Sequence, residues 1–178
     1  MRTLSDLFRN VMQLGYVTED IDAATAYLES TLGTVRCLKH YKSSLGGGSS
    51  SGSSFVVVDG TPADEWVIDV ALVNAGATNL EIIRPVSGAV DLYRNAVRPG
   101  QPATLHHIGV RIDDFDEASA LVEAAGKQWA QYGVSGDIRF GYLDLTAELG
   151  HFVEVMELGP QSSQMFAGLA AASDTAAE

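Results

Sequence analysis

Apolar and polar positions follow one pattern twice along this chain. The segment Gln13-Leu14-Gly15-Tyr16-Val17-Thr18-Glu19-Asp20-Ile21-Asp22-Ala23-Ala24 lies on His107-Ile108-Gly109-Val110-Arg111-Ile112-Asp113-Asp114-Phe115-Asp116-Glu117-Ala118 at a constant offset of 94, with Gly, Asp, Asp and Ala coinciding. Each copy opens on a β-prone apolar run, passes an Asp-rich turn and continues with helical spacing. Asp20, Asp22, Asp114 and Asp116 stand where a helix begins. Their carboxylates can accept from unpaired backbone N–H groups there and meet the positive end of the dipole, so they read as caps. The helices span Ile21 to Thr31, closed by Gly33, and Phe115 to Ala125, closed by Gly126.

The ends of the copies match as well. Asn79-Leu80-Glu81-Ile82-Ile83 resembles Phe152-Val153-Glu154-Val155-Met156, but at an offset of 73, so 94 minus 73 leaves 21 extra residues in the first copy. They coincide with Ser43 to Ser54, almost wholly Gly and Ser, a composition that buries too little surface to offset its ordering entropy. This reads as a mobile loop, natural or engineered, placed where it can act as a lid. Thr34 to Tyr41 and Glu65 to Val73 are the strands that bracket it, and Lys127 to Gln131 and Arg139 to Leu145 are their shorter counterparts. The chain divides into an N-terminal extension (1–10), a first strand-helix-three-strand module (11–86, with the loop 43–54), a linker (87–104), a second module (105–159) and a tail (160–178). Short helical pieces are expected at Val90 to Val97 and Gln164 to Ala172, and Ser173 to Glu178 should fray.

Composition narrows the function. The chain has 178 residues, 46% of them hydrophobic, and a formal net charge of -12 from 11 Lys plus Arg against 23 Asp plus Glu. One globular domain is the simplest reading. The acidic balance, without a basic cluster, argues against nucleic acid and anionic membranes as partners. The single Cys37 excludes an internal disulfide and a zinc thiolate cluster; it reads as a buried thiol, with His40 on the opposite face of its strand. No signal-peptide stretch and no run of about 18 apolar residues is present, so a soluble cytoplasmic protein is the expectation.

Four residues at equivalent positions of the repeat carry the chemistry. Gln13 and His107 share one position in the opening strands, and Glu81 and Glu154 share one in the closing strands. A carboxylate set inside an apolar strand needs a partner if it points inward. If the copies pack with pseudo-twofold symmetry, the four converge as two carboxylates, an imidazole and an amide oxygen. That set suits a divalent cation such as Zn, Ni, Mn, Co or Fe. For each residue alone, a solvated or hydrogen-bonded structural role is the competing reading.

The paired modules, the opening Gln13-Leu14-Gly15-Tyr16-Val17, the closing Leu80-Glu81-Ile82-Ile83-Arg84-Pro85, and the motifs His106-His107-Ile108-Gly109-Val110 and Gly150-His151-Phe152-Val153-Glu154 resemble the vicinal oxygen chelate superfamily. That superfamily includes glyoxalase I, methylmalonyl-CoA epimerase, extradiol dioxygenases and bleomycin-resistance proteins. The resemblance spans roughly Val11 to Leu158 and implies an α+β fold of two βαβββ modules curved into a half-barrel, with a metal on its concave face. It places Gln13, Glu81, His107 and Glu154 on the metal-ligand positions, in a set similar to that of animal glyoxalase I.

The activity implied is a metal-dependent isomerase, epimerase or lyase working on a small oxygenated substrate through an enolate, with Glu154 as base and Glu81 on the opposite face. An extradiol dioxygenase uses two His and one Glu, a pattern that Gln13 breaks; a metal-free ligand-sequestering protein of the bleomycin-resistance kind predicts loss of the ligand set. By strand alternation Arg111 shares a face with His107, and Met156 with Glu154, whereas His106 and His151 face away from the site. Tyr93 and Trp66 read as packing residues. A homodimer is compatible with this arrangement but is not required, because one chain supplies all four ligands.

Overall fold

The computed structural model describes residues 3–33, 39–44 and 54–175, with side chains undescribed at 39–40 and 173–175. The opening copies form as expected. A 3-10 turn, Leu4–Arg9, leads into β1 (Val11–Val17) and α1 (Ile21–Leu32). Asp20 caps α1 by accepting from the Ala23 N–H at 3.0 Å, and Gly33 ends it in the left-handed region. The second copy repeats this with β7 (Thr104–Ile112) and α3 (Phe115–Ala124), where Asp114 accepts from the Glu117 N–H at 2.9 Å.

The other strands are β2 (Lys39–Ser44), β3 (Phe55–Val58), β4 (Thr61–Pro62), β5 (Trp66–Ala75), β6 (Thr78–Gly88), β8 (Gln131–Ser135), β9 (Ile138–Leu145) and β10 (His151–Leu158). One ten-stranded sheet orders them β2-β5-β6-β1-β7-β10-β9-β8-β3-β4. The run β2-β5-β6-β1 is repeated in mirrored order by β7-β10-β9-β8, and the modules meet where β1 pairs antiparallel with β7. The sheet curls into a half-barrel; Ser43 Oγ at one edge lies 3.3 Å from Ser135 Oγ in the far module.

Both faces of the curled sheet are covered. On the convex side α1 lays Ile21, Ala24 and Leu28 on Ala71, Val73, Leu80 and Ile82, while α3 lays Phe115, Ala118 and Val122 against Val110, Leu143, Val153 and Val155. The i, i+3, i+7 spacing in each helix gives one apolar stripe, enough to bury one helix face. The concave trough holds the other cluster: Ile68, Val70, Leu72 and Ile83 from the first module and Phe140, Tyr142 and Met156 from the second. β5 is therefore apolar on consecutive positions rather than alternating, because it is buried on both sides. Val90 and Tyr93, flanking and within α2 (Asp91–Arg94), cover part of the trough, and Met165, Phe166 and Leu169 of α5 (Pro160–Thr175) pack against the same cluster.

Several expected boundaries move. β8 runs over Gln131–Ser135 rather than Lys127 to Gln131, since Ser135 pairs with Ile138 across a tight turn with Gly136 at positive φ, and the turn pins the register. Ser43 and Ser44 belong to β2 rather than to a loop, and β2 continues past Tyr41. Residues 34–38 of the strand expected over Thr34 to Tyr41, Cys37 among them, and residues 45–53 of the loop expected over Ser43 to Ser54 lie outside the described residues, as do residues 176–178. The segment after the loop forms the hairpin β3–β4, which docks on β8 of the other module. The tail helix starts at Pro160, one turn earlier than its apolar pattern suggests. No helix among the described residues is long and apolar enough to cross a membrane.

Candidate metal centre

The four middle strands bring the candidate residues into two rows. Glu81, Gly15, His107 and Phe152 stand abreast on β6, β1, β7 and β10; Asn79, Gln13, Gly109 and Glu154 stand abreast in the neighbouring row. The offsets of 94 and 73 exchange the rows, taking Gln13 to His107, Gly15 to Gly109, Glu81 to Glu154 and Asn79 to Phe152. The repeat is thus a symmetry of the site.

The glycines make the rows possible. A Cβ on Gly15 would stand 1.8 Å from His107 Cε1, so the imidazole lies across the space left by the missing side chain. A Cβ on Gly109 would stand 3.0 Å from Gln13 Oε1 and 2.8 Å from the Met156 methyl. Each opening-strand side chain lies over the glycine of the other copy.

His107 Nε2 lies 3.4 Å from Glu81 Oε2 and 3.3 Å from Glu154 Oε2. One ligand atom from each of these three residues falls within 4.8 Å of the others. His107 is fully buried and Gln13 and Glu154 nearly so; the Glu81 side chain keeps 14% exposure. Among the described residues, Gln13 Oε1, His107 Nε2 and Glu154 Oε2 are buried without a hydrogen bond of good geometry, as are Trp66 Nε1 and Gln131 Oε1 elsewhere; of the three at the site, His107 Nε2 and Glu154 Oε2 lie within ion-pair reach of each other and Gln13 Oε1 has no partner. Orphaned atoms of this kind are costly unless something satisfies them. A divalent cation fits the two carboxylate oxygens and the imidazole nitrogen, which are its ordinary donors, and Gln13 Oε1, in the row that also holds Glu154, is a donor of a suitable kind.

Charge crowding follows. Burial works against an imidazolium, but Glu154 and Glu81 overturn it and hold His107 up at about 9. Burial, reinforced by Glu154, pushes the Glu81 carboxyl up, against the His107 hydrogen bond. A cation in this position would displace the His107 proton and relieve the repulsion between the carboxylates.

His106 does not point away as strict alternation requires. Gly15 pairs with His107 and Tyr16 with Leu105, so His106 is an extra residue in β7, a bulge. Val11 pairs with Val110 and Gln13 with Gly109, making Met12 the extra residue in β1; 12 plus 94 is 106, so the bulges are equivalent too. His106 Nδ1 lies 3.0 Å from His107 Nδ1, and His106 Nε2 lies 3.1 Å from the Leu92 carbonyl. Burial, with the neighbouring His107, lowers His106 to about 3.

Two phenols were missed by sequence reasoning. Tyr142, opposite Glu154 in the β9–β10 pair, meets the His107 ring edge-on at 5.2 Å. Burial and then Glu154 raise its pKa, and burial followed by Glu81 and Glu154 raises that of Tyr41. Pairing with Glu154 was the signal available for Tyr142; Tyr41, in β2, carried none. Arg111 is exposed and donates to Ser163 Oγ at 3.3 Å in α5, not to the cluster. His151 Nδ1 contacts the Phe152 carbonyl, Trp66 and Tyr93 are packed in the trough, and the Tyr93 hydroxyl accepts from Gln131 Nε2. A groove of about 700 Å³ lies elsewhere, on the outer face between α3 and β8, and none of the four residues lines it.

A model of the Glyoxalase/Bleomycin resistance protein/Dioxygenase superfamily matches residues 12–142, well over half of the chain. The chain belongs to this superfamily, as its repeat and motifs indicated. No curated protein matches it at the sequence level. Among solved structures it is similar to methylmalonyl-CoA epimerase from Mycobacterium tuberculosis, at 14% identity over 89% of this chain and 93% of that one, with a TM-score of 0.56. A Streptomyces coelicolor methylmalonyl-CoA epimerase variant in complex with 2-nitronate-propionyl-CoA is similar at 15% identity, over 85% of this chain and 95% of that one, with a TM-score of 0.55. At such identities the likeness is one of fold.

Proposed function

We propose that the chain is a metal-dependent isomerase, epimerase or lyase acting on a small oxygenated substrate, with Gln13, Glu81, His107 and Glu154 holding the cation. One observation carries the reading: His107 Nε2 lies buried between the carboxylates of Glu81 and Glu154, and Gln13 Oε1 is buried and unpartnered at the position the repeat makes equivalent to His107. A divalent cation bound there supplies a Lewis acid that stabilises negative charge developing on a substrate carbonyl or hydroxyl oxygen. Glu154 accepts the proton from the neighbouring carbon, leaving an enolate, and Glu81 delivers or receives a proton from the other end of its row. The aromatic trough excludes water around the site, and the phenols of Tyr41 and Tyr142 remain protonated beside the carboxylates.

Elemental analysis of the protein as isolated, after chelation and after refilling, tests the reading beside Glu154→Gln. About one divalent metal per chain, bound at least tenfold more weakly in the variant, is the expected result. Exchange of a substrate C–H for solvent deuterium then tests the enolate, with methylmalonyl-CoA, suggested by the structural neighbours, and small α-hydroxy ketones as first candidates. A folded protein that takes up no metal would sink the Lewis-acid reading in favour of ligand sequestration.

A further inference from the structure

Each opening-strand ligand atom is the free end of a hydrogen-bond chain whose other end is a backbone carbonyl. A carbonyl only accepts, so it fixes the direction of every donor that follows. In the first copy Asn79 Nδ2 donates to the Val73 carbonyl at 3.3 Å and to Asn74 Oδ1 at 2.8 Å, while Asn74 Nδ2 points at the Leu169 carbonyl of α5 at 3.5 Å. With its amino group committed, Asn79 turns Oδ1 toward Gln13, whose Nε2 donates to it at 2.8 Å. Gln13 has only Oε1 left to present, and that oxygen is buried and unpartnered.

The second copy reaches the same result with different residues. The Leu92 carbonyl accepts from His106 Nε2, so His106 Nδ1 is an acceptor and takes the hydrogen of His107 Nδ1. In the neutral ring, once a cation displaces the proton that Glu81 and Glu154 hold there, the lone pair of His107 is thereby left on Nε2, the atom between the two carboxylates. We propose that Asn79 and His106 are positioning residues that select the oxygen of the Gln13 amide and the Nε2 of the His107 imidazole as cation ligands. An unheld amide turns over and offers an NH₂ group that repels a cation; an unheld imidazole is free to take the other tautomer. The inference rests on the metal reading above and adds the residues that orient the ligands.

Affinity for Co²⁺, by titration against a chromogenic chelator with the cobalt absorption band as a report on coordination, tests it. Asn79→Leu removes the acceptor at similar volume and is expected to weaken Co²⁺ binding about tenfold and alter the band. In a Gln13→Glu background both ends of the side chain are oxygen, so the same Asn79→Leu change should cost at most twofold; Asn79→Ala gives a second version should the leucine variant fail to fold. His106→Phe keeps a ring stacked on Phe152, now at 4.8 Å, and removes the acceptor; about tenfold weakening is expected, with partial recovery in His106→Asn, whose Oδ1 replaces Nδ1. Equal losses from Asn79→Leu with and without Gln13→Glu would show only general packing damage and overturn the inference. Wild-type affinity in both Asn79→Leu and His106→Phe would overturn it too. Absence of Co²⁺ binding in the wild type would instead remove the metal reading on which it rests.

Discussion

A methyl group at residue 15 would overlap the His107 ring, 1.8 Å from Cε1, whereas one at residue 109 meets the mobile end of Met156 at 2.8 Å and Gln13 Cβ and Oε1 at 3.0 Å. The repeat makes these glycines equivalent, yet their neighbours differ in ability to move. Gly15→Ala must displace the imidazole from its place beside Glu81 and Glu154. We expect it to cost about 1–3 kcal/mol by overpacking and to abolish metal uptake. Gly109→Ala, where a flexible methionine gives way and Gln13 is only crowded at 3.0 Å, should cost under about 1.5 kcal/mol and weaken uptake without abolishing it. Thermal melts and metal analysis of the two variants check the contrast. At this scale the candidate site was legible because the repeat marks it: two offsets single out Gln13, Glu81, His107 and Glu154 as equivalent pairs, and the strand register sets them in two neighbouring rows. The bulges were not legible, since an extra residue in one strand is defined by its partner, and alternation sent His106 to the wrong face.

Among the elements, α5 depends on a cap from outside its own sequence. Asp137, in the β8–β9 turn, accepts from the Gln161 N–H at 2.7 Å and the Ser162 N–H at 3.2 Å. Partial burial works against its ionisation, but those N–H groups outweigh it and hold the carboxyl below the ordinary carboxylate range. A depressed folded pKa stabilises above the unfolded value of about 3.9 and is lost as pH falls through the folded value. Asp137→Ala should therefore destabilise the chain at neutral pH by about 1 kcal/mol or less, its exposure screening the charge, and the difference should vanish in strong acid. Paired melts across that pH range measure it; a difference that persists below the folded pKa would count against the cap. This long-range cap also explains why α5 begins before its apolar pattern does. The hairpin β3–β4 escaped sequence reading for a related reason. Its partner is β8 of the other module, where a Cβ on Gly133 would stand 2.2 Å from the Phe55 carbonyl.

The whole molecule ties its modules together more closely than a tandem repeat requires. Each row of the site crosses the β1–β7 seam, so His107 lies over Gly15 and Gln13 over Gly109. The first module also completes the second by placing β3 on the edge of β8 and Val56 in the trough cluster. A second module on its own would expose the β7 and β8 edges and the concave faces of Phe140, Tyr142 and Met156. It would also leave His107 with Glu154 alone of its two carboxylate neighbours. We expect residues 102–178 expressed alone to show no cooperative melt and no tight Co²⁺ binding. Cutting at the exposed turn around Gly100 but producing 1–101 and 102–178 together should restore both, because the seam and the rows then re-form from two chains. Circular dichroism melts and cobalt titration of the fragment and the pair decide it. Independent folding and cation binding by the fragment would mean that one copy of the repeat suffices. The symmetry of the rows would then be a relic of duplication rather than the device that assembles the centre.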